Sequence, residues 1–380
     1  MNRHRYRSVV VGTGPGRSRV DGSMWYSSIG YEHARTYQAL GHEVVGGVDL
    51  SEANACAFGE AFRAEHASTD LAATLAAARP DIVSVATFPD SHREIVDACI
   101  RAGVPAIWCE KPFALSIDDA RHMADACRAA DVRLVVNHVR RYFDGMTAAR
   151  SAIVNGEIGD LLMVMTAGQG WDMLAWGSHW VDVLRMLAGD TPAAWVLAQV
   201  RASGERWNGD PNGRYGNPLE DVGVLYCGFA DGVRGLLESG EGHRGVPAVR
   251  AVGTEGVLEL GDESGLRVIG RRGFRTHAVT AAVLGPDGGW SLGSCFERAL
   301  ADLLAWREGG PEPAIGITNA LATTEVMLAG YESALLGDRV DLPFTPATDG
   351  FALTELIRRH RAAGRGASEL RAEDPPAPRT

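Results

Sequence analysis

The chain has 380 residues and one lysine, Lys111, among 37 lysine and arginine positions; all the others are arginine. Arginine stays protonated at any ordinary pH, whereas burial tunes a lysine amine until it exchanges a proton. A single retained lysine points to a task that a permanent cation does not perform, unless composition drift left it there by chance. The neighbours decide: Lys111 stands in Trp108-Cys109-Glu110-Lys111-Pro112-Phe113. A second group is His179-x-x-Asp182. The spacing of Val181, Leu184 and Leu187 predicts a helix from about Ser178, so positions 179 and 182 share a face. There a carboxylate orients an imidazole for general acid–base work. On spacing alone, a core histidine bonded to a neighbouring carboxylate is the simpler reading. A third group, Gly12-Thr13-Gly14-Pro15-Gly16, follows a short β-branched run. Glycines let backbone N–H groups approach a pyrophosphate with no Cβ in the way.

The elements that must position these groups alternate strand and helix. Strands are expected at 7–11, 43–48, 66–68, 82–87, 106–109 and 133–137, with helices between them. Such alternation implies βαβ units and a parallel sheet. Ligands of these sheets lie beyond the carboxyl ends of the strands, where Gly12, Asp49, Thr87 and Lys111 all fall. The glycine fingerprint is incomplete, because Arg17 stands where a third glycine belongs, and a plain tight turn fits nearly as well. Residues 17–29 read as an insertion before a helix starting near Gly30. Its Trp25 and Tyr26 suit a lid, with an oligomer contact as the alternative. An acid at the end of the second strand, Asp49, is suited to the adenosine ribose of NAD and repels a 2′-phosphate. Arg17 and Arg19 keep NADP open.

Val83-Ser84-Val85-Ala86-Thr87, Pro89-Asp90-Ser91-His92, Ala102-Gly103-Val104, then Glu110-Lys111-Pro112 and Ser116 form one continuous signature. It resembles that of the glucose–fructose oxidoreductase, inositol dehydrogenase and rhizopine-catabolism (Gfo/Idh/MocA) family. Gly253-Thr254-Glu255-Gly256 and Tyr331-Glu332-Ser333-Ala334 are similar to the family's hairpin turn and last helix. The resemblance covers residues 9–343. It implies an α/β protein: an N-terminal Rossmann domain (1–140), then an α+β domain (141–370) with an open, mostly antiparallel sheet for substrate binding and oligomerisation. It also implies a nicotinamide cofactor across Lys111, with contacts from Gly12, Gly14, Gly16, Asp49, Thr87, His92 and Glu110. The implied activity interconverts an alcohol and a ketone on a sugar, cyclitol or glycoside, in a homodimer or homotetramer.

In this family the histidine matched by His179 faces substrate and nicotinamide. Relatives commonly carry an aspartate four residues before it, where this chain has Ala175. Asp172 is a substitute if the segment is helical; a loop aims it elsewhere. The catalytic residues expected are therefore Lys111, His179 and Asp172, with Trp25, Arg141, Trp176 and Asp182 toward substrate. Aromatic faces pack against sugar rings, though Trp171, Trp176 and Trp180 suit a core equally. The stretch Arg140-Arg141-Tyr142 matches a family position near substrate, with an interdomain ion pair as the plain alternative. Beyond residue 194, short runs separated by turns predict hairpins of an antiparallel sheet. Residues 203–218 read as a substrate loop or oligomer arm, and the proline-rich end, 371–380, as a disordered tail.

A net charge of −11 argues against a nucleic-acid partner. Six scattered cysteines form no metal or disulfide pattern and read as reduced thiols of a cytoplasmic protein. No apolar run is long enough for a leader or a membrane span. No metal is expected. Two other functions stay open: a redox-neutral enzyme that cleaves glycosides by transient oxidation with tightly bound NAD, and a non-catalytic nucleotide sensor, supported only by Ala175.

Overall fold

A computed structural model of the chain describes residues 4–16, 18–20, 24–26, 28–169, 172–209, 216–240, 248–261, 265–277 and 293–362. Val9, Val10 and Val11 are buried on both faces, as a central strand of a helix-covered parallel sheet must be, and they form β1 (Arg7–Val11). A hairpin of β2 (Ser18–Val20) and β3 (Met24–Tyr26) occupies the expected insertion. Then follow β4 (Glu43–Val48), β5 (His66–Ser68), β6 (Ile82–Val85), β7 (Ala106–Cys109) and β8 (Arg133–Val136). Their sheet runs β5-β4-β1-β6-β7-β8 with every pairing parallel. The helices between them are α1 (Ile29–Ala39), α2 (Glu52–Phe62), α3 (Leu71–Ala78), α4 (His92–Arg101) and α5 (Ile117–Ala129). Ser51, Asp70 and Ser116 cap α2, α3 and α5 by accepting first-turn N–H bonds. This is the doubly wound Rossmann order. β6 ends two residues earlier than expected, which leaves Thr87 on the loop beyond the strand.

The chain continues through α6 (Asp144–Val154), β9 (Leu161–Gln169), α7 (Gly177–Leu187) and β10 (Ala193–Arg201). A small hairpin, β11 (Trp207–Gly209) and β12 (Gly216–Pro218), lies in the expected loop. β13 (Val222–Phe229), β14 (Arg234–Gly240), β15 (Val249–Gly253), β16 (Val257–Gly261), β17 (Gly265–Gly270) and β18 (Gly273–His277) follow. The last elements are α8 (Gly293–Arg307), α9 (Ile317–Leu336), β19 (Val340–Asp341) and α10 (Ala352–Ala362). The second sheet runs β18-β17-β16-β15-β9-β14-β13-β10-β19. Only β9 with β14 is a parallel pair, so the sheet is mixed and mostly antiparallel. β18 and β19 were not expected from the sequence.

All eleven residues of α7 are buried, because it lies between this sheet, α6, α9 and the loop after β8. Its polar residues Ser178, His179, Asp182 and Arg185 are therefore forced inside, where each unpaired polar atom is costly. The sheet's other face carries exposed Leu197, Val224, Ile269 and Phe274. α8 returns to pack on α1, β7 and β8. The cysteines are free, and all but Cys56 are buried. Among the described residues no helix is long and apolar enough to cross a membrane, and no cluster of metal-binding side chains occurs. The expected tail at 371–380 lies outside the described residues.

Candidate active site

The glycine loop follows β1 because its backbone demands it. Gly12 and Gly14 have φ of +84° and +62°. A Cβ on Gly12 would stand 2.6 Å from both the Ala86 carbonyl oxygen and Thr87 Cγ2. The fingerprint's third glycine, sought at position 17, is found after the insertion. A Cβ on Gly30, at the start of α1, would meet the Gly12 carbonyl oxygen at 2.7 Å and Thr13 Cα at 3.1 Å. Close packing of the first helix on the loop is the work assigned to that third glycine. Asp49, half-buried beyond β4, accepts from Gly14 N–H at 2.7 Å, Thr13 Oγ1 at 3.2 Å and Ser51 N–H at 2.9 Å. It therefore stands beside the loop as expected. Gly16 has an ordinary backbone and lies against the Tyr31 ring. Trp25 has a described backbone, but its side chain lies outside the described residues.

Two expected cofactor contacts point inward instead. His92 is fully buried, with Nδ1 3.0 Å from the Phe113 carbonyl oxygen and Nε2 3.2 Å from that of Thr87. It ties the Thr87 loop to the segment after Lys111 and offers no free nitrogen to a cofactor. Glu110 is also buried. Its Oε1 meets His33 Nε2 at 3.0 Å and Asn137 Nδ2 at 2.5 Å, and its Oε2 accepts from Lys111 N–H at 3.2 Å. His33 continues to Ser84 and Tyr37, while Asn137 accepts from Trp108 Nε1. Burial alone would raise the Glu110 carboxyl, but His33, Lys111 and Asn137 outweigh it and hold it below the usual range. Glu110 is thus the anchor that fixes Lys111 at the strand end.

Lys111 itself is half-buried, and its peptide to Pro112 is cis. Its Nζ donates to the Ala175 carbonyl oxygen at 3.0 Å and lies 5.0 Å from the Trp176 ring centroid, a cation–π distance. Burial pushes the amine below its ordinary pKa; Glu110 and Asp172 oppose this, and Arg140 adds to it. The lysine thus meets the backbone of residue 175, where relatives carry a carboxylate. Trp176 also faces His179, with ring centroids 6.3 Å apart. His179 keeps only 6% of its surface, and its Nδ1 is sealed with no protein partner. Burial first, then the charges of Lys111 and Arg140, drive its pKa well below the ordinary value, so the ring is neutral. Asp172 precedes a turn rather than standing in a helix, and its Oδ1 accepts from Ala175 N–H. Burial raises its pKa against that bond and against Lys111.

Arg141 and Asp182 do not face an open site. Arg141 Nε donates to Asp182 Oδ2 at 2.7 Å, and its two terminal nitrogens reach Asp190, Asn319 and the Asp182 carbonyl. Five contacts engage all three guanidinium nitrogens. Asp182 also accepts from Asn319 Nδ2 and Thr323 Oγ1, and it makes no bond to His179. The ion-pair reading of Arg141 therefore replaces the substrate reading, and Asp182 is its partner. The neighbouring Arg140 turns the other way on the short 3-10 turn Val139–Tyr142. Its guanidinium lies 4.4 Å from the Trp180 ring centroid and bears on both Lys111 and His179.

Arg140 stands in the expected Arg140-Arg141-Tyr142 stretch, of which Arg141 was singled out. Sequence reasoning missed two residues. His138 is 1% exposed with no hydrogen bond to either ring nitrogen, and its position after β8 was the available signal. Glu220 accepts from Tyr331 OH at 2.7 Å and from Met173 N–H, fixing the turn before Trp176. It carries no motif. Trp180 packs under Arg140, and Trp171 lies outside the described residues.

Residues 22–138 match the family model described as "Oxidoreductase family, NAD-binding Rossmann fold". The chain is 30% identical over 330 residues to the D-apiose dehydrogenase of Paraburkholderia graminis, covering 80% of this chain and 84% of that protein. Two solved structures share the fold at 22% identity. One is an oxidoreductase from Agrobacterium radiobacter in complex with NAD+, L-tartaric acid and magnesium (TM-score 0.72, 89% of this chain and 98% of that one). The other is a levoglucosan dehydrogenase in complex with NADH and L-sorbose (TM-score 0.72, 90% and 100%). With its glycine loop, strand-end acid and Glu-Lys-Pro segment on a doubly wound sheet, this chain belongs to the Gfo/Idh/MocA family of NAD-binding oxidoreductases.

Proposed function

We propose that the chain is an NAD(P)-dependent dehydrogenase that interconverts an alcohol and a ketone on a sugar, cyclitol or glycoside. One observation carries the reading: Lys111, Trp176 and His179 meet at the carboxyl edge of the parallel sheet. The similarity to D-apiose dehydrogenase supports a sugar substrate. The loop of Gly12 and Gly14, with Asp49 beside it, fits a dinucleotide, and an acid there favours NAD. When bound, that group supplies the hydride acceptor or donor.

The residues do the rest. Trp176 offers an aromatic face to the C–H side of a sugar ring. Lys111 spends one N–H on Ala175 and keeps two donors for the reacting oxygen, whose developing negative charge its cation stabilises. His179, held neutral, takes the hydroxyl proton in oxidation and returns it in reduction. The exposed face of the second sheet, with Leu197, Val224, Ile269 and Phe274, is where we place a homo-oligomer contact. Nicotinamide absorbance recorded with purified protein across aldoses, ketoses and cyclitols tests the function. Stoichiometric NADH formation with one sugar class supports it; NADH binding without turnover of any of them contradicts it.

A further inference from the structure

This inference rests on the reading that His179 takes the substrate's proton. His138 stands just past β8, at the sheet edge where ligands gather. It is 1% exposed, and no protein group pairs with either ring nitrogen. His179 Nδ1 is sealed and unpaired in the same way. The two ring centroids are 6.2 Å apart, edge to face at 78°. Buried polar groups are nearly always hydrogen-bonded, to protein or to ordered water. An unpaired nitrogen on each of two adjacent imidazoles calls for a shared partner. One water making two bonds of about 2.8 Å links nitrogens up to ~5.6 Å apart, a reach that suits rings whose centroids are 6.2 Å apart. We propose that His138 is the positioning residue of His179, joined to it by one buried water.

The surrounding charges agree. The charged groups bearing on His179 are Lys111 and Arg140, both cations that repel an accepted proton. His138 faces Asp182, whose Oδ1 lies 3.8 Å from its Nδ1, besides Arg141, Arg185 and Lys111. Passing the proton one ring inward moves it toward a carboxylate. In oxidation the hydroxyl proton bonds to His179 Nε2, and Nδ1 releases its own proton to the water. The water hands a proton to His138, a transient imidazolium beside Asp182, because burial and the nearby cations hold that ring's pKa at about 4. The hydride leaves the same carbon for the cofactor, and reduction reverses each transfer.

Histidine-selective ¹⁵N NMR of the cofactor-free protein tests this without turnover, with His179 assigned by its loss in His179→Asn. In wild type, ring signals of His138 and His179 should both exchange with one bound water, and in His138→Phe the His179 nitrogen signals should shift. Wild-type signals with no common water contact overturn the proposal, whether or not His138→Phe folds. So do His179 signals unchanged in folded His138→Phe. Kinetically, His138→Phe should lose about 10- to 100-fold in kcat with KM little changed. Its acid limb should move to lower pH, because the imidazolium on His179 loses its outlet. An unchanged pH profile contradicts the role. Intact water-linked signals in a protein that oxidises no sugar would defeat the dehydrogenase reading and leave the linked pair standing.

Discussion

Helix α7 serves two buried polar clusters, and they are built in opposite ways. Around Arg141 every nitrogen has an acceptor: Asp182, Asp190 and Asn319 engage it, and Asn319 and Thr323 donate to Asp182 in turn. Around Lys111 and His179 pairing is incomplete. One amine proton is used, His179 Nδ1 has no partner, and neither ring nitrogen of His138 has one. His179 and Asp182 stand three positions apart, yet Asp182 is bonded into the scaffold and His179 is not. A buried network that is fully satisfied specifies structure; one with polar atoms left over marks where something else binds.

The comparison breaks most visibly if His179 is removed. His179→Ala should cost about 10²- to 10⁴-fold in kcat and leave the melting temperature unchanged or higher, measured by steady-state absorbance and calorimetry. Asp182→Ala should act the other way. It leaves Arg141 buried without its main partner and should cost about 3–5 kcal/mol of stability in urea unfolding; a loss below ~1 kcal/mol would place Asp182 with the site after all.

The next effect is a pH dependence. Burial, with Arg141, Lys111 and Arg185, pushes the His138 pKa down to about 4, against the opposing pull of Asp182. A depressed histidine binds fewer protons folded than unfolded, so its contribution is full above about 6.5 and is lost as pH falls toward 4. The slope in that window should flatten in His138→Phe, by up to about 3 kcal/mol in total, read from urea midpoints across pH. The smallest effect belongs to the cofactor edge. Asp49→Ala should relax the preference for NAD over NADP by about tenfold, the worth of one charged hydrogen bond.

Much of this arrangement is legible in the chain. The short runs and turns beyond residue 194 predict an antiparallel sheet, and β10 and β13 to β17 supply most of the mixed sheet found there. The strand-end positions of Asp49 and Lys111 follow from the βαβ alternation. Direction is what spacing does not carry. Arg140 and Arg141 are adjacent on a 3-10 turn, and only packing decides which one enters the ion pair. Three-residue spacing puts His179 and Asp182 on nearby faces, but α7 is buried all round, so its neighbours claim each face separately. The third glycine hides because an insertion moves it from position 17 to Gly30, and no fixed spacing reveals it. Asp172 looked like a substitute carboxylate because helical spacing would have aimed it at the site; the turn aims it at Ala175 N–H.

The central claim is that the chain's only lysine works as a tunable amine at the reacting oxygen. Lys111→Arg keeps the charge and removes the tuning. Turnover of the preferred sugar should fall at least ~100-fold while NADH binding, followed by tryptophan fluorescence, stays near wild type. Near-normal turnover with a normal pH profile in Lys111→Arg would contradict the account.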